Sequence, residues 1–184
     1  IEQKMTFMNP KKSDTAKILI IVPAFNESGS IGDLIQEIRR LNPQADLVII
    51  DDGSKDGTGE EAEKAGAFVA TLPHNLGIGG AVQTGYQIAL ENGYDVAVQL
   101  DGDGQHDPAY IATLVQPILD GKWDFCIGSR FLDPRAESYR STWLRRFGIR
   151  FFCRLLGILT GLQLTDPTSG FRAVGKKLIR SFAS

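Results

Sequence analysis

The sequence has little cysteine and no excess of basic charge. Only two cysteines occur among its 184 residues, Cys126 and Cys153, and their spacing does not match a metal site. Both lie in apolar runs, so we interpret them as core thiols, which fits a reducing compartment. The net charge of -2 lacks the basic footprint of bulk nucleic-acid binding, so we predict no nucleic-acid partner.

The sequence also lacks long apolar runs. None reaches the roughly 18 residues of a membrane span, and residues 1–16 lack the apolar segment of a signal peptide. We therefore expect an N-terminal tail at 1–16 and no membrane-spanning segment in these residues. Residues 17–184 suit a single domain, since 42% hydrophobic and 23% charged residues is the usual balance of a globular core.

Strand-like and helix-like segments alternate along the chain. Continuous apolar or β-branched runs predict strands at 17–22, 47–50, 67–71, 95–100 and 123–127. Apolar residues at helical spacing predict helices at 30–41, with Ser30 as N-cap, and at 58–65, 79–92 and 108–119. These repeated units indicate an α/β fold, Rossmann-like, with a mostly parallel sheet and helices on both faces. In such sheets ligands bind at the edge where the parallel strands end.

Two carboxylates and an amide directly follow the predicted strand 95–100. They are Asp101, Asp103 and Gln105, separated by glycines. Mg²⁺ and Mn²⁺ prefer such oxygen ligands and usually share their coordination shell with substrate phosphates. A polar turn without a ligand is the alternative, but the position at a strand end favours the metal site. We interpret His106 as a hydrogen-bonded structural residue and do not assign it as a ligand.

Two other polar segments follow predicted strands and should share this sheet edge. Residues 22–27 follow the first strand and end in Glu27, which either contacts a ligand or stabilises the dipole of the next helix. Asp51 and Asp52 follow the second strand. A carboxylate there either accepts hydrogen bonds from a nucleotide base or forms a turn and helix cap.

A glycine-rich loop at 74–81 opens the helix after the third strand. Such a loop can approach phosphates with its backbone. A dinucleotide site is disfavoured, because this loop does not follow the first strand and no acidic residue ends the next strand at the expected place, since Asp95 begins that strand instead. We favour close helix–strand packing by small residues over direct phosphate contact.

Six motifs occur in order between residues 17 and 174: VPAFNE at 22–27, DDGSKDGT at 51–58, NLGIGGA at 75–81, DGDGQH at 101–106, GSR at 128–130 and DPTSGFR at 166–172. Together they resemble family 2 glycosyltransferases, in particular the branch that transfers sugars to dolichyl or polyprenyl phosphate. The resemblance implies a GT-A fold and an inverting hexosyltransferase that uses a UDP- or GDP-sugar and Mg²⁺ or Mn²⁺. A saccharide acceptor, a nucleotidyltransferase and a non-catalytic nucleotide-sugar sensor are the alternatives.

The resemblance also implies roles for single residues on the donor side. Asp52 would hold the base, with Asp51 pointing the other way. Asp101 and Asp103 would associate with the metal ion, and Gln105 would be a further ligand. The metal ion would stabilise the charge that grows on the diphosphate leaving group. The residues assigned to the nucleotide sugar are Pro23, Ala24, Phe25, Glu27, Asp52, Gly79 and Asp101.

On the acceptor side the resemblance implies cations. A lipid phosphate is already an anion and needs no general base, and Arg130 and Arg172 match the family positions that would hold it, with Arg140 as a further candidate. A sugar hydroxyl would need a carboxylate base, and Asp166 is the nearest candidate. Asp166 is equally consistent with a turn residue before Pro167.

A basic segment lies between the last two motifs. Residues 138–165 contain five arginines and no acid, and the pattern predicts a helix at 142–160 with Arg146, Arg150 and Arg154 on one face. This helix either lies on an anionic membrane surface or packs on the core with a solvated basic face. The lipid-phosphate branch implies peripheral contact at the cytoplasmic, inner face of a membrane. Related proteins continue beyond the last motif, so we expect a chain truncated at its C-terminus.

Overall fold

The computed structural model describes residues 16–102, 106–129, 166 and 169–184. In this part of the chain the elements are β1 (Ile18–Ala24), α1 (Ile31–Leu41), β2 (Asp46–Asp51), α2 (Thr58–Lys64), β3 (Phe68–Thr71), α3 (Gly77–Glu91), β4 (Val96–Gln99), a 3-10 turn (Pro108–Tyr110), α4 (Ile111–Leu119), β5 (Phe125–Ile127), β6 (Arg172–Gly175) and α5 (Lys176–Phe182). The predicted strands and helices in these ranges are all present, with ends shifted by at most three residues, the largest shift being at the predicted helix 108–119, whose first turn is 3-10. The predicted helix at 142–160, Cys153 and nearly all of the predicted tail at 1–16 lie outside the described residues.

The six strands form one sheet in the order β3-β2-β1-β4-β6-β5. β1 pairs in parallel with β2 and β4, and β2 pairs in parallel with β3. β6 was not predicted, and it runs antiparallel between β4 and β5. Because β6 runs in the opposite direction, its first residue, Arg172, lies at the edge where the parallel strands end.

Helices cover both faces of the sheet, as predicted. β1 is buried along its whole length because its alternate side chains enter two different cores. Ile20 and Val22 pack in the core that contains residues of α1 and α4, whereas Leu19 and Ile21 pack in the core that contains residues of α3 and α5. No helix in the described ranges has the length and apolar character needed to cross a membrane.

Close packing between helix and strand occurs at Gly85, in the middle of α3. A β-carbon on Gly85 would overlap the side chain of Ile21 in β1, whereas one on Gly79 would meet nothing within 4 Å. Among the small residues of the 74–81 loop, Ala81 is fully buried in the same core as Ile21, which fits the expected close packing, whereas Gly79 makes no such contact. The close approach of α3 to the sheet depends on Gly85, which lies about one helical turn after the end of the loop.

Candidate functional site

The polar motifs meet at the edge of the sheet where β1, β2 and β4 end. The backbone N–H of Asp52 donates to the carbonyl of Ala24 at 2.9 Å, which joins the first two motifs. A β-carbon on Gly102 would lie 3.0 Å from the carbonyl oxygen of Pro23, so the fourth motif lies directly on the first. The end of β1 is therefore the centre of the candidate site, with a carboxylate segment on each side.

The two adjacent aspartates of the second motif point in opposite directions, as strand alternation predicts. Oδ1 of Asp52 accepts a 2.7 Å hydrogen bond from the backbone N–H of Leu76, just before α3. Oδ1 of Asp51 accepts a 3.0 Å bond from the N–H of Ser54, and a β-carbon on Gly59 of α2 would lie 3.0 Å from its Oδ2. Asp51 is thus a turn residue on the α2 side, while Asp52 points toward the glycine-rich loop.

The β2–α2 loop also packs tightly on the loop before α3. A β-carbon on Gly53 would lie 2.9 Å from the carbonyl carbon of His74, and Gly53 has a positive φ of 72°. Only glycine combines this backbone conformation with such a close approach. Gly79, predicted to contact the donor, is exposed in the first turns of α3, which begins at Gly77.

The segment after β1 presents an exposed aromatic ring beside a partly buried carboxylate. Phe25 is 46% exposed, although it is a large apolar side chain, and Asn26 has a left-handed φ of 57°. Glu27 accepts a hydrogen bond from the hydroxyl of Ser30 at 3.0 Å. Ser30 occupies the predicted N-cap position of α1, but its side chain makes no cap bond to the helix. Pro23 and Ala24 are buried at the end of β1.

Asp101 follows β4 and is surrounded by groups from three segments. Its Oδ1 lies 3.5 Å from the amide nitrogen of Gln99, and its Oδ2 lies 3.9 Å from Nε2 of His106. A β-carbon on Gly170 would overlap the carboxylate, so Gly170 lies against it. Since the Asp101 side chain is still 30% exposed, it can reach a ligand at the sheet edge.

His106 is packed as a structural residue. It is 7% exposed, and its ring centroid lies 5.3 Å from that of Phe171. The predicted ligands Asp103 and Gln105 lie outside the described residues. Within the described ranges no group of three or more His, Cys, Asp or Glu side chains forms a metal cluster. The carboxylate oxygens of Asp101 are the kind of ligand that Mg²⁺ and Mn²⁺ prefer, so this residue is suitable as one ligand of such a metal site.

The last two motifs reach the same edge from β5 and β6. The N–H of Gly128, at the end of β5, donates to the carbonyl of Phe171 at 2.8 Å. Arg172 is the cross-strand partner of Gln99, and its Nε donates to the carbonyl of Ser169 at 2.7 Å. This brings the start of β6 beside the strand that leads to Asp101.

The buried face next to Arg172 contains a phenol from α3. Burial raises the pKa of Tyr86 to about 12, and the positive charge of Arg172 opposes this rise. Asp166 is 2% exposed, and its carbonyl accepts a 3.3 Å bond from the N–H of Ser169. The other predicted cations, Arg130, Arg140, Arg146, Arg150 and Arg154, lie outside the described residues.

Sequence reasoning gave no role to several residues that shape this edge. Gly170 lies against the Asp101 carboxylate. Ser54, Asp56 and Thr58 hold the backbone that follows β1. All four lie within the quoted motifs, but their partners are distant in sequence, so the motif strings contained no signal for these contacts.

The sequence model of "Glycosyl transferase family 2" matches residues 19–182. The chain belongs to this family. It is 34% identical to the UDP-N-acetylglucosamine–dolichyl-phosphate N-acetylglucosaminyltransferase of Methanococcus voltae, over 89% of this chain and 71% of that protein. It is 32% identical to the undecaprenyl-phosphate mannosyltransferase of Micrococcus luteus, over 90% of this chain and 69% of that protein.

Solved structures share the fold. Glucosyl-3-phosphoglycerate synthase of Mycobacterium tuberculosis, in complex with Mn²⁺, UDP-glucose and phosphoglyceric acid, is 26% identical with a TM-score of 0.66, over 89% of this chain and 57% of that chain. Mannosyl-3-phosphoglycerate synthase of Rubrobacter xylanophilus is 21% identical with a TM-score of 0.69, over 89% of this chain and 54% of that chain. The chain thus spans little more than half of these structures. The predictions of a family 2 glycosyltransferase and of the GT-A fold are confirmed.

Proposed function

We propose that the chain is the catalytic domain of an inverting glycosyltransferase that moves a sugar from a UDP- or GDP-sugar to a polyprenyl or dolichyl phosphate. The observation that carries this proposal is the convergence of Asp52, Asp101 and Arg172 at one edge of the sheet, in a chain of this family. Relatives from Methanococcus voltae and Micrococcus luteus are named for transfer to dolichyl or undecaprenyl phosphate, which supports the acceptor.

The donor base would bind beside Asp52. This carboxylate is 3% exposed and is held by the Leu76 N–H through Oδ1, so its direction is fixed before a ligand arrives. Phe25 directly follows Ala24, whose carbonyl accepts the Asp52 N–H, and its exposed ring offers a flat apolar surface to a base or ribose. Pro23, Ala24, Glu27 and Gly79 complete the proposed donor residues.

A divalent cation, Mg²⁺ or Mn²⁺, would be held by Asp101 together with Asp103 and Gln105. When bound, the cation supplies positive charge that stabilises the nucleoside diphosphate as it leaves. Gln99 and Gly170 fix the position of the Asp101 carboxylate, so little reorganisation is needed on binding. The Mn²⁺ in the solved complex from Mycobacterium tuberculosis supports a metal ion of this type.

The acceptor side favours an anionic lipid over a saccharide. A phosphate acceptor needs cations to position it, and Arg172 stands at the same edge as Asp101, with Arg130 of the neighbouring motif as its proposed partner. A saccharide hydroxyl needs a base that can reach it. Asp166, the candidate base, accepts the Ser169 N–H through its backbone carbonyl, which fits the alternative role of a turn residue before Pro167.

We further propose that the enzyme works at the cytoplasmic face of a membrane. The lipid acceptor would sit at the membrane surface, and the water-soluble donor would approach from the aqueous side. The helix predicted from the sequence at 142–160 would place Arg146, Arg150 and Arg154 on one face, which suits contact with anionic lipid headgroups. Binding to vesicles that contain anionic lipid, compared with neutral vesicles, would test this contact.

Calorimetric titration tests the donor site. We expect one of UDP and GDP to bind in the presence of Mn²⁺ or Mg²⁺, with the affinity lost when a chelator is added. Asp101→Asn keeps the size of the side chain but removes its charge, so the metal dependence should disappear while the thermal unfolding temperature stays close to wild type. Equal affinity with and without metal ion would contradict the metal site.

A transfer assay tests the reaction. With a radiolabelled donor and polyprenyl phosphate, the product should extract into organic solvent and should be absent in the Asp101→Asn variant. Label that stays in water with a saccharide acceptor would support polysaccharide or glycolipid synthesis. Pyrophosphate released from a nucleoside triphosphate and a sugar phosphate would support a nucleotidyltransferase, and donor binding without turnover would support a sensor.

A further inference from the structure

Three consecutive backbone N–H groups in the β1–α1 loop are held by side chains of the β2–α2 loop. Asn26 donates to Oγ of Ser54 at 3.0 Å, Glu27 to Oγ1 of Thr58 at 2.8 Å, and Ser28 to Oδ2 of Asp56 at 3.1 Å. We call the side chains of Asn26, Ser54, Asp56 and Thr58 the clasp. It holds residues 26–28, the segment that contains Glu27 and directly follows Phe25.

The clasp is reciprocal at Asn26. Its Oδ1 accepts a 3.1 Å bond from the N–H of Lys55, while its own N–H donates to Ser54. Asn26 has a φ of 57° in the left-handed region, which asparagine tolerates better than most residues that carry a side chain. The bonds on both sides of this residue keep the backbone in a conformation that the isolated loop would rarely adopt.

Thr58 is the centre of the clasp. It is fully buried, and its hydroxyl donates to Oδ1 of Asp56 at 2.5 Å. Because the hydroxyl hydrogen is used in that bond, its oxygen is free to accept from the N–H of Glu27. Asp56 also accepts from the N–H of Thr58 at 3.1 Å. These bonds to the carboxylate lower the pKa of Asp56 to about 2, so the group is ionised near neutral pH.

The β2–α2 loop holds two neighbouring loops at once. On one side the clasp fixes residues 26–28, and on the other side Asp52 binds the N–H of Leu76. The close contact of Gly53 with His74 also holds the β2–α2 loop against the loop before α3. Phe25, Glu27 and Asp52 are therefore fixed relative to one another through a single segment of the chain.

We propose that Thr58 and Asp56 are positioning residues of the nucleotide pocket, which set Phe25 and Glu27 in place beside Asp52 before the donor binds. This inference rests on the proposed function, since it assigns the loop after β1 to the nucleotide. A preformed pocket binds more tightly because no loop has to be ordered at the moment of binding. A role of this kind changes affinity for the nucleotide, whereas a purely structural role changes only the stability of the fold.

The experiment compares Thr58→Val with Thr58→Ser in the full chain. Valine has nearly the shape of threonine but leaves the Glu27 N–H without an acceptor, whereas serine keeps the hydroxyl. We expect Thr58→Val to weaken binding of UDP or GDP, measured by calorimetry with Mn²⁺, by about tenfold or more, because it removes both hydrogen bonds of the hydroxyl, from the Glu27 N–H and to Asp56. Thr58→Ser should bind within about twofold of wild type, since the bond is retained.

Tyr94→Phe provides the control for loss of stability alone. It removes a 2.8 Å bond from the Tyr94 hydroxyl to Asp46 at the opposite end of the sheet. We expect Tyr94→Phe to lower the unfolding temperature without changing nucleotide affinity. Equal affinity of wild type and Thr58→Val, or an equal loss of affinity in Tyr94→Phe, would overturn the positioning role and leave the proposed function standing. Wild type that binds neither UDP nor GDP would overturn the proposed function, and this inference with it.

Discussion

Gly170 lies directly against the carboxylate of Asp101, so that a β-carbon on Gly170 would overlap both carboxylate oxygens. This contact joins the motif that follows β4 to the motif that precedes β6. The two motifs are brought together because β6 inserts antiparallel beside β4 and pairs Arg172 with Gln99. The position of the proposed metal-binding carboxylate therefore depends on a residue with no side chain of its own.

Gly170→Ala should impair the donor site more than the fold. The added methyl group must displace the Asp101 carboxylate, and we expect metal-dependent nucleotide affinity to fall by about tenfold or more, the effect of roughly 1.4 kcal/mol of lost interaction. Calorimetry with Mn²⁺ measures this loss. Gly32→Ala is the control, because a β-carbon there meets nothing within 4 Å and should leave affinity unchanged. Unchanged nucleotide affinity in Gly170→Ala would contradict the conclusion that Gly170 sets the position of the Asp101 carboxylate.

Arg172→Gln should reduce transfer to the lipid phosphate while leaving nucleotide binding intact. The proposed role of the guanidinium is to hold the acceptor anion, and loss of a charged hydrogen bond costs about 1.5–3 kcal/mol. We expect the KM for polyprenyl phosphate to rise by about tenfold or more. Arg172→Lys keeps the charge but loses the Nε bond to Ser169, so it should recover part of the activity. A matching loss of UDP or GDP affinity in Arg172→Gln would place this residue on the donor side instead.

The clasp should give stability a dependence on pH through Asp56. Hydrogen bonds from Thr58, the largest cause, and from Ser28 lower its pKa from 3.8 to about 2. A lowered folded-state pKa means that this stabilisation is complete above pH 3.8 and is lost as the pH falls through 2. Urea unfolding of wild type and Asp56→Asn should therefore differ most near neutral pH and converge between about pH 4 and 2. A difference in stability between wild type and Asp56→Asn that stays constant over this pH range would contradict the lowered pKa of Asp56.

Gly85→Ala should destabilise the fold without a specific effect on the site. The new methyl group would overlap Ile21 in β1, and overpacking of a core typically costs about 1–3 kcal/mol. Chemical denaturation should show this loss of unfolding free energy. Gly32→Ala, in α1 where a β-carbon would meet nothing within 4 Å, should instead raise the unfolding free energy by up to about 1 kcal/mol through helix propensity. A stability for Gly85→Ala equal to wild type would show that α3 can move away from the sheet.

Much of the fold could be predicted because its signals are local. The buried apolar run of β1 and the helical spacing of Ile31, Leu34, Ile35 and Ile38 in α1 each follow from neighbouring residues. β6 could not be predicted in this way. It has four residues, and it is defined by pairing with β4 and β5, which are distant in the sequence.

The same distinction between local signals and contacts of distant segments applies to the candidate site. By itself the sequence determined which strand ends carry carboxylates and that Asp51 and Asp52 point apart, because alternation along a strand is a local property of the backbone. Only the tertiary structure decided that Gly170 lies against Asp101, that Thr58 accepts from the Glu27 N–H, and that Gly85 rather than Gly79 sets the approach of α3. Each of these contacts joins residues from different elements, so it exists only once the strands have paired and the helices have packed on them.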